Sequence, residues 1–157
     1  MCSSDLLAGH LGNPFYFAAA FPMGTGTPPA MMRGMRAYRY LRVDVFTEQV
    51  FGGNPLAVFP SAQGLDTAEM QQIAKELNLS ETTFVLPATK KDAAVRVRIF
   101  TIDRELPLAG HPVVGTAFAL AATGGIAVRE GNQRVQLELG SGVLPVDIEV
   151  REGKVRS

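Results

Sequence analysis

The chain has 157 residues, of which 46% are hydrophobic and 19% are charged, so it is able to bury a core as one domain or as one domain and part of another. Its 15 basic residues balance 15 acidic ones, and no basic run is interleaved with aromatic residues. This balance argues against a partner such as nucleic acid or an anionic membrane surface, and favours a small molecule or a protein.

The cysteine content limits the classes of site. Cys2 is the single cysteine, which excludes a disulfide framework and a thiolate zinc cluster within the chain. A reducing compartment suits this composition, and we expect a cytoplasmic location.

Residues 1–36 differ from the rest of the sequence. They have no sustained period, contain four prolines and carry no Lys or Arg before Arg33. A secretory signal needs a basic region ahead of its apolar stretch, and a membrane span needs about 20 consecutive apolar residues, so neither interpretation fits. We expect residues 1–36 to be a leader that is disordered or an artefact of sequence assembly.

A regular pattern begins at Tyr38. In "YRYLRVDVF", apolar residues alternate with Arg42 and Asp44, which is the period of a half-buried strand. "FGGNP" then supplies turn residues, and "LAVF" predicts a second short strand.

The next segments predict a helix followed by two strands. In "LDTAEMQQIAKELN", Asp66 precedes Glu69 by three residues, as in a capping box, and the helical period ends near Asn78. "TTFVLP" and "AAVRVRIFT" predict strands, and the alternation of Arg96 and Arg98 with apolar residues predicts a sheet with one wetted face.

The segment after Pro112, "VVGTAFALAATGG", has no charged residue and closes with two glycines. A helix that is apolar all round must be surrounded by protein, and this one is too short to cross a bilayer. The pattern predicts a central helix wrapped by the sheet. "RVQLELG", "GVLPVDIEV" and the turn "REGKV" predict further strands, the last of which leaves an edge unpaired.

Glu81 lies between the end of the first predicted helix and the strand "TTFVLP". From this place its carboxylate is able to project into a cleft between two layers, where partial desolvation suits a carboxylate to proton transfer. The alternative is a solvated glutamate in a turn, and position alone leaves both interpretations open.

His111 stands in "AGHP", directly before a proline suited to the first turn of the buried helix. A helix start offers free N–H groups and positive potential to a substrate carboxylate, with the imidazole beside it. The alternative is a histidine that only caps the helix. No G-x-S-x-G nucleophile elbow is present, and His10 and His111 have no companion ligands at metal spacing, so no metal site is predicted.

Three stretches, in this order, resemble the N-terminal half of the PhzF family, the phenazine-biosynthesis-like isomerases: "VDVFTEQVFGGNPLAVF", "AKELNLSETTFVLP" and "RIFTIDRELPLAGHPVVGTAFAL". The resemblance implies an α+β fold of the diaminopimelate-epimerase-like type, with a curved, mostly antiparallel sheet around a central apolar helix. It also implies an N-terminal PhzF-like domain over residues 37–157, truncated before a second, similar domain, and a homodimer.

The resemblance further implies the site and its reaction. The glutamate of the family's "NLSE" motif falls on Glu81 and its serine on Ser80, while the glycine and histidine of "GHP" fall on Gly110 and His111. The implied activity is a biosynthetic proton shift, without cofactor, on a small carboxylate such as trans-2,3-dihydro-3-hydroxyanthranilate, and we expect the fragment alone to be inactive. Two alternatives stay open: an inactive half-domain that serves as a binding module, and an epimerase of the same fold with another substrate.

Overall fold

The computed structural model describes residues 10–11, 15–18, 36–47, 49 and 51–156, which form a curled mixed sheet and two helices. In chain order the elements are β1 (His10–Leu11), β2 (Phe15–Ala18), β3 (Ala37–Val45), β4 (Asn54–Phe59), α1 (Thr67–Leu77), β5 (Glu81–Leu86), β6 (Val95–Phe100), β7 (Glu105–Leu106), α2 (Gly110–Thr123), β8 (Gly131–Leu139), β9 (Gly142–Arg151) and β10 (Lys154–Arg156). The strand order is β1-β3-β4-β5-β6-β8-β9-β10, with β2 on β3 and β7 on β6. The predicted α+β architecture is confirmed.

Two parallel strand pairs place the helices. β4 pairs with β5 in parallel and β6 pairs with β8 in parallel, whereas the other pairings in the described part of the chain are antiparallel. A parallel pair needs a crossover connection. Helix α1 provides the crossover for the first pair, and the segment that contains α2 provides it for the second. The sheet is thus mostly antiparallel, as predicted, and each helix returns the chain to it.

Helix α1 follows the predicted capping box. The Asp66 carboxylate accepts the N–H of Glu69 at 2.8 Å, and the Glu69 carboxylate accepts the N–H of Asp66 at 2.9 Å. The helix ends at Leu77 and its C-cap is Asn78, whose φ of 51° is the left-handed conformation typical of a helix C-cap. These caps explain why the helix begins and ends where the sequence predicts.

The face of the sheet under α1 carries an aromatic layer. The rings of Phe59 and Phe84 are stacked with centroids 4.9 Å apart, and Phe100 meets Phe84 edge-on at 5.5 Å. The sequence predicted a wetted face here because Arg96 and Arg98 alternate with apolar residues. That prediction is wrong for the centre of the sheet, because α1 covers it: the Arg98 side chain is only 15% exposed and is hydrogen-bonded at that face.

Helix α2 packs against the opposite face of the sheet and is the predicted central helix. Most of its side chains are buried, and its C-cap is Gly124 with a φ of 75°. A Cβ added to Gly115 would lie 2.6 Å from Cγ2 of Val45, so this glycine lets β3 approach the helix closely. Neither helix of the described chain is long and apolar enough to span a membrane.

Two short strands fall within the predicted leader. β1 and β2 both pair with β3, with His10 opposite Asp44 and Phe15 opposite Tyr40. The rest of residues 1–35 lies outside the described residues. The boundary between a leader and the domain at residue 36 therefore stays a prediction.

Candidate active site

Strand β5 directs Glu81 toward α2. Side chains alternate along a strand, so Glu81 shares a face with Thr83. The Thr83 hydroxyl lies 2.8 Å from the hydroxyl of Thr116 on α2, which ties the strand to this helix. The register therefore turns the Glu81 side chain toward the start of α2, and 16% of that side chain is exposed. The alternative of a solvated turn glutamate is wrong.

His111 is the second residue of α2 and faces Glu81. Its Nε2 atom lies 3.0 Å from Oε2 of Glu81, and its side chain is 14% exposed. The two atoms are within ion-pair distance without hydrogen-bond geometry, and each is buried with no hydrogen-bond partner among the described residues. Buried polar atoms without partners are few in proteins. The hydrogen-bonding capacity of both atoms is therefore unused by the described part of the chain.

The start of α2 has no side-chain cap. Ala109 is the N-cap residue and makes no side-chain hydrogen bond, so the alternative that His111 only caps the helix is wrong. The N–H groups of Gly110 and His111 belong to the first turn, where no intrahelical acceptor is available. A Cβ added to Gly110 would meet nothing within 4 Å, so the space beside this residue is open. The positive end of the helix is thus accessible next to the Glu81–His111 contact.

Ser80 is the least constrained of the predicted site residues. It directly precedes β5 and is exposed, whereas Glu81 and His111 are brought into contact by the fold.

Among the described residues, no group of three or more His, Cys, Asp and Glu side chains is placed to hold a metal ion.

Sequence reasoning missed an aromatic neighbour of the site. The ring centroid of Phe46 lies 6.5 Å from that of His111, with 61° between the ring planes. Phe46 follows the last residue of β3 and has a φ of 64°. The sequence pattern places Phe46 at the end of the predicted strand "YRYLRVDVF", because a positive φ at a phenylalanine has no local signature.

Comparison with known proteins places the chain in a family. The family model described as phenazine biosynthesis-like protein, PhzC-PhzF, matches residues 43–157. The chain belongs to this family. It is 43% identical over 118 residues to a trans-2,3-dihydro-3-hydroxyanthranilate isomerase of Pseudomonas aeruginosa, a match that covers 75% of this chain and 40% of that protein. An uncharacterized isomerase of Pasteurella multocida is 58% identical over 83 residues, which are 53% of this chain and 29% of that protein.

Solved structures agree with this PhzF-family assignment. A Bacillus anthracis phenazine biosynthesis protein of the PhzF family matches 77% of this chain and 39% of its own with a TM-score of 0.67 and 35% identity. A hydroxyproline epimerase of Agrobacterium vitis matches 65% of this chain and 36% of its own with a TM-score of 0.55. At 17% identity the epimerase shows the shared fold alone. The PhzF-family chain spans at most two fifths of the length of these relatives.

Proposed function

We propose that this chain supplies one wall of the active site of a cofactor-independent PhzF-type isomerase, with Glu81 as the general acid and base. The observation that carries the proposal is the 3.0 Å separation between Glu81 Oε2 and His111 Nε2, two buried atoms that lack hydrogen-bond partners in the described part of the chain. A carboxylate held in this way is able to accept a proton from carbon and to return it. The names of the isomerase relatives support the same reaction class.

The proposed reaction balances without a co-reactant. The Glu81 carboxylate removes a proton from one carbon of a small carboxylate substrate of the dihydro-hydroxyanthranilate type. The electron pair of that C–H bond shifts through an adjacent double bond, and the protonated Glu81 returns the proton at another carbon. The product is an isomer of the substrate, with no net change in electrons and with Glu81 restored.

His111 and the start of α2 have a binding role in this proposal. The free N–H groups of the first helical turn, including that of Gly110, attract the substrate carboxylate. The His111 imidazole belongs to the first turn of the same helix and lies 3.0 Å from Glu81, and Ser80 directly precedes the glutamate in the chain. The substrate is thereby oriented by its own carboxylate while Glu81 moves the proton.

The second wall of the site is assigned to a second domain. The curated relatives extend well beyond the matched segment, which is 40% of the Pseudomonas aeruginosa protein. We therefore expect the 157-residue chain alone to show no isomerase activity. A homodimer and a cytoplasmic location are also part of the proposal. The binding-module and epimerase alternatives gain no specific support from the site.

The test uses a chimera that joins this chain to the unmatched remainder of the Pseudomonas aeruginosa isomerase. Glu81→Gln preserves the size of the side chain but removes the group that accepts a proton, so turnover of dihydro-hydroxyanthranilate should fall by roughly 10²–10⁴-fold. Glu76→Gln is the matched control, because Glu76 is exposed on α1. His111→Asn should raise KM more than it lowers kcat.

Near-normal turnover of the Glu81→Gln chimera, with solvent deuterium still entering the product, would contradict the proposed role. An inactive chimera with the native Glu81, tested alongside an active parent isomerase, would favour the binding-module alternative. Turnover of a different carbon acid by that chimera would favour the epimerase alternative.

A further inference from the structure

The turn after β3 holds two phenylalanines in a left-handed backbone conformation. Phe46 has a φ of 64° and Phe51 a φ of 65°. Residues other than glycine rarely adopt this backbone conformation. A bulky residue persists in it only when the surrounding structure holds it. The two rings differ in environment: Phe51 is 81% exposed, while Phe46 is 44% exposed and contacts His111.

Contacts within β3 and the turn hold this backbone. The buried Asp44 carboxylate accepts the N–H of Phe51 at 2.9 Å, which links the strand to the far side of the turn. A Cβ added to Gly53 would lie 2.3 Å from the carbonyl oxygen of Val45, so the turn closes tightly onto the end of β3. Phe46 directly follows Val45, one of the residues in these contacts.

Helix α2 brings the end of β3 beside His111. Val45 packs against Gly115, the glycine whose missing Cβ makes room for the strand. Gly115 is four residues after His111, so the two lie one turn apart on the same helix face. The residue after Val45 is therefore adjacent to His111, and the ring centroids 6.5 Å apart at 61° match an edge-to-face aromatic pair.

The contact with Glu81 does not by itself hold the imidazole of His111. Nε2 and Oε2 are 3.0 Å apart, but they do not form a hydrogen bond, and Nε2 has no other hydrogen-bond partner among the described residues. The Phe46 ring, whose centroid lies 6.5 Å from that of His111, is a neighbouring surface that is able to fix the orientation of the imidazole.

We propose that Phe46 is a positioning residue of this site: its ring packs against the His111 imidazole and keeps Nε2 within 3.0 Å of Glu81 Oε2. Phe46 acts through the imidazole and makes no contact with the substrate in this proposal. The effect of Phe46 on catalysis rests on the proposed function, whereas the orientation of His111 is a property of this chain alone.

The first test is nuclear magnetic resonance spectroscopy of the native chain with ¹⁵N-labelled histidine, at one fixed pH. His111→Asn identifies the signals of His111 against those of His10. Nuclear Overhauser effects between the ring protons of Phe46 and His111 are expected in the native protein. Their absence would overturn the proposal without any other variant.

Variants then test the effect of the contact. Phe46→Leu keeps apolar bulk but removes the ring, so the His111 nitrogen shifts should move and its two tautomers should become more evenly populated. Phe46→Tyr should restore the native pattern. Phe51→Leu is the matched control, because Phe51 has the same backbone conformation without a ring contact to His111. Unchanged His111 signals in Phe46→Leu, or an equal change in Phe51→Leu, would overturn the proposal.

The chimera described above supplies the functional measurement. Because Phe46 acts through His111, whose proposed role is in binding, Phe46→Leu should raise KM more than it lowers kcat and by less than His111→Asn does, and Phe46→Tyr should recover the native KM. The two proposals fail separately. Full activity of Glu81→Gln would remove the proposed function but leave the spectroscopic result intact, whereas a missing Phe46–His111 contact would remove the positioning role and leave the Glu81 result intact.

Discussion

Glu81 and Glu138 are both largely buried glutamates, but the structure surrounds them differently. The carboxylate of Glu138, 6% exposed, accepts the N–H groups of Thr89 and Lys90 at 2.6 and 3.0 Å and also the Thr89 hydroxyl. Among the described residues, Oε2 of Glu81 has only the contact with His111, which lacks hydrogen-bond geometry. A buried carboxylate that accepts hydrogen bonds from its own chain contributes to the stability of the fold. A carboxylate without such bonds is the better candidate for a chemical role.

We expect the largest effect on stability at Glu138, because its carboxylate accepts hydrogen bonds from the chain. Glu138→Gln places an amide nitrogen, which donates but does not accept, where a carboxylate oxygen accepts hydrogen bonds. The urea midpoint of unfolding should therefore fall clearly. Glu81→Gln in the same chain should leave the midpoint unchanged or raise it slightly, because it removes a charge without losing a satisfied bond. Equal falls in the urea midpoint for the two variants would contradict this difference between the two glutamates.

The pH dependence of stability sharpens this difference. The hydrogen bond from the Thr89 side chain, followed by the two backbone N–H groups, lowers the pKa of Glu138 below its ordinary value. A lowered folded-state pKa stabilises the protein above the unfolded-state pKa, and this contribution is lost as pH falls through the folded-state value. Urea unfolding between neutral and acidic pH should show the gap between the native chain and Glu138→Gln shrinking in acid. A constant gap would contradict this assignment.

The second effect concerns the contact that aligns β5 with α2. Thr83→Val removes one hydroxyl of the buried Thr83–Thr116 pair and leaves the other without its partner. The free energy of unfolding should fall by about 1–3 kcal/mol. The double variant Thr83→Val with Thr116→Val removes both hydroxyls and should recover most of the loss. Additive losses in the double variant, measured by urea unfolding, would show that the pair is not coupled.

The smallest effect is expected at the neighbouring threonine. Thr82 points to the α1 face, and its hydroxyl is buried with no hydrogen-bond partner in the described part of the chain. Thr82→Val keeps the shape and removes this unpaired group, so the free energy of unfolding should rise by about 1 kcal/mol. Chimera activity should not change. A loss of activity would assign a role in the site to Thr82.

Several features of the fold follow from residues close together in sequence. Asp66 and Glu69 predict the start of α1 because the capping box joins residues only three apart. The uncharged segment after Pro112 predicts a helix buried on all sides for the same local reason. The motifs around Glu81 and His111 also indicate the family, which the match over residues 43–157 confirms.

Other features depend on contacts between distant parts of the chain. The alternation around Arg98 has the period of a half-wetted strand, but α1 covers that face, because the parallel pairing of β4 and β5 makes α1 cross it. The left-handed Phe46 lies beside the hydrogen bond from the Phe51 N–H to Asp44 and beside the close packing of Val45 against Gly115. No local spacing reports these contacts.

The sequence by itself determined the caps of α1, the apolar character of α2 and the motifs that carry Glu81 and His111, because each depends on neighbours within a few positions. Only the tertiary structure decided that β5 turns Glu81 toward α2 and that its Oε2 lies 3.0 Å from Nε2 of a histidine 30 positions later. That distance depends on sheet register, on the Thr83–Thr116 contact and on the approach of β3 to Gly115. These contacts join residues far apart in the chain, and the pattern of neighbouring residues in the sequence does not predict them.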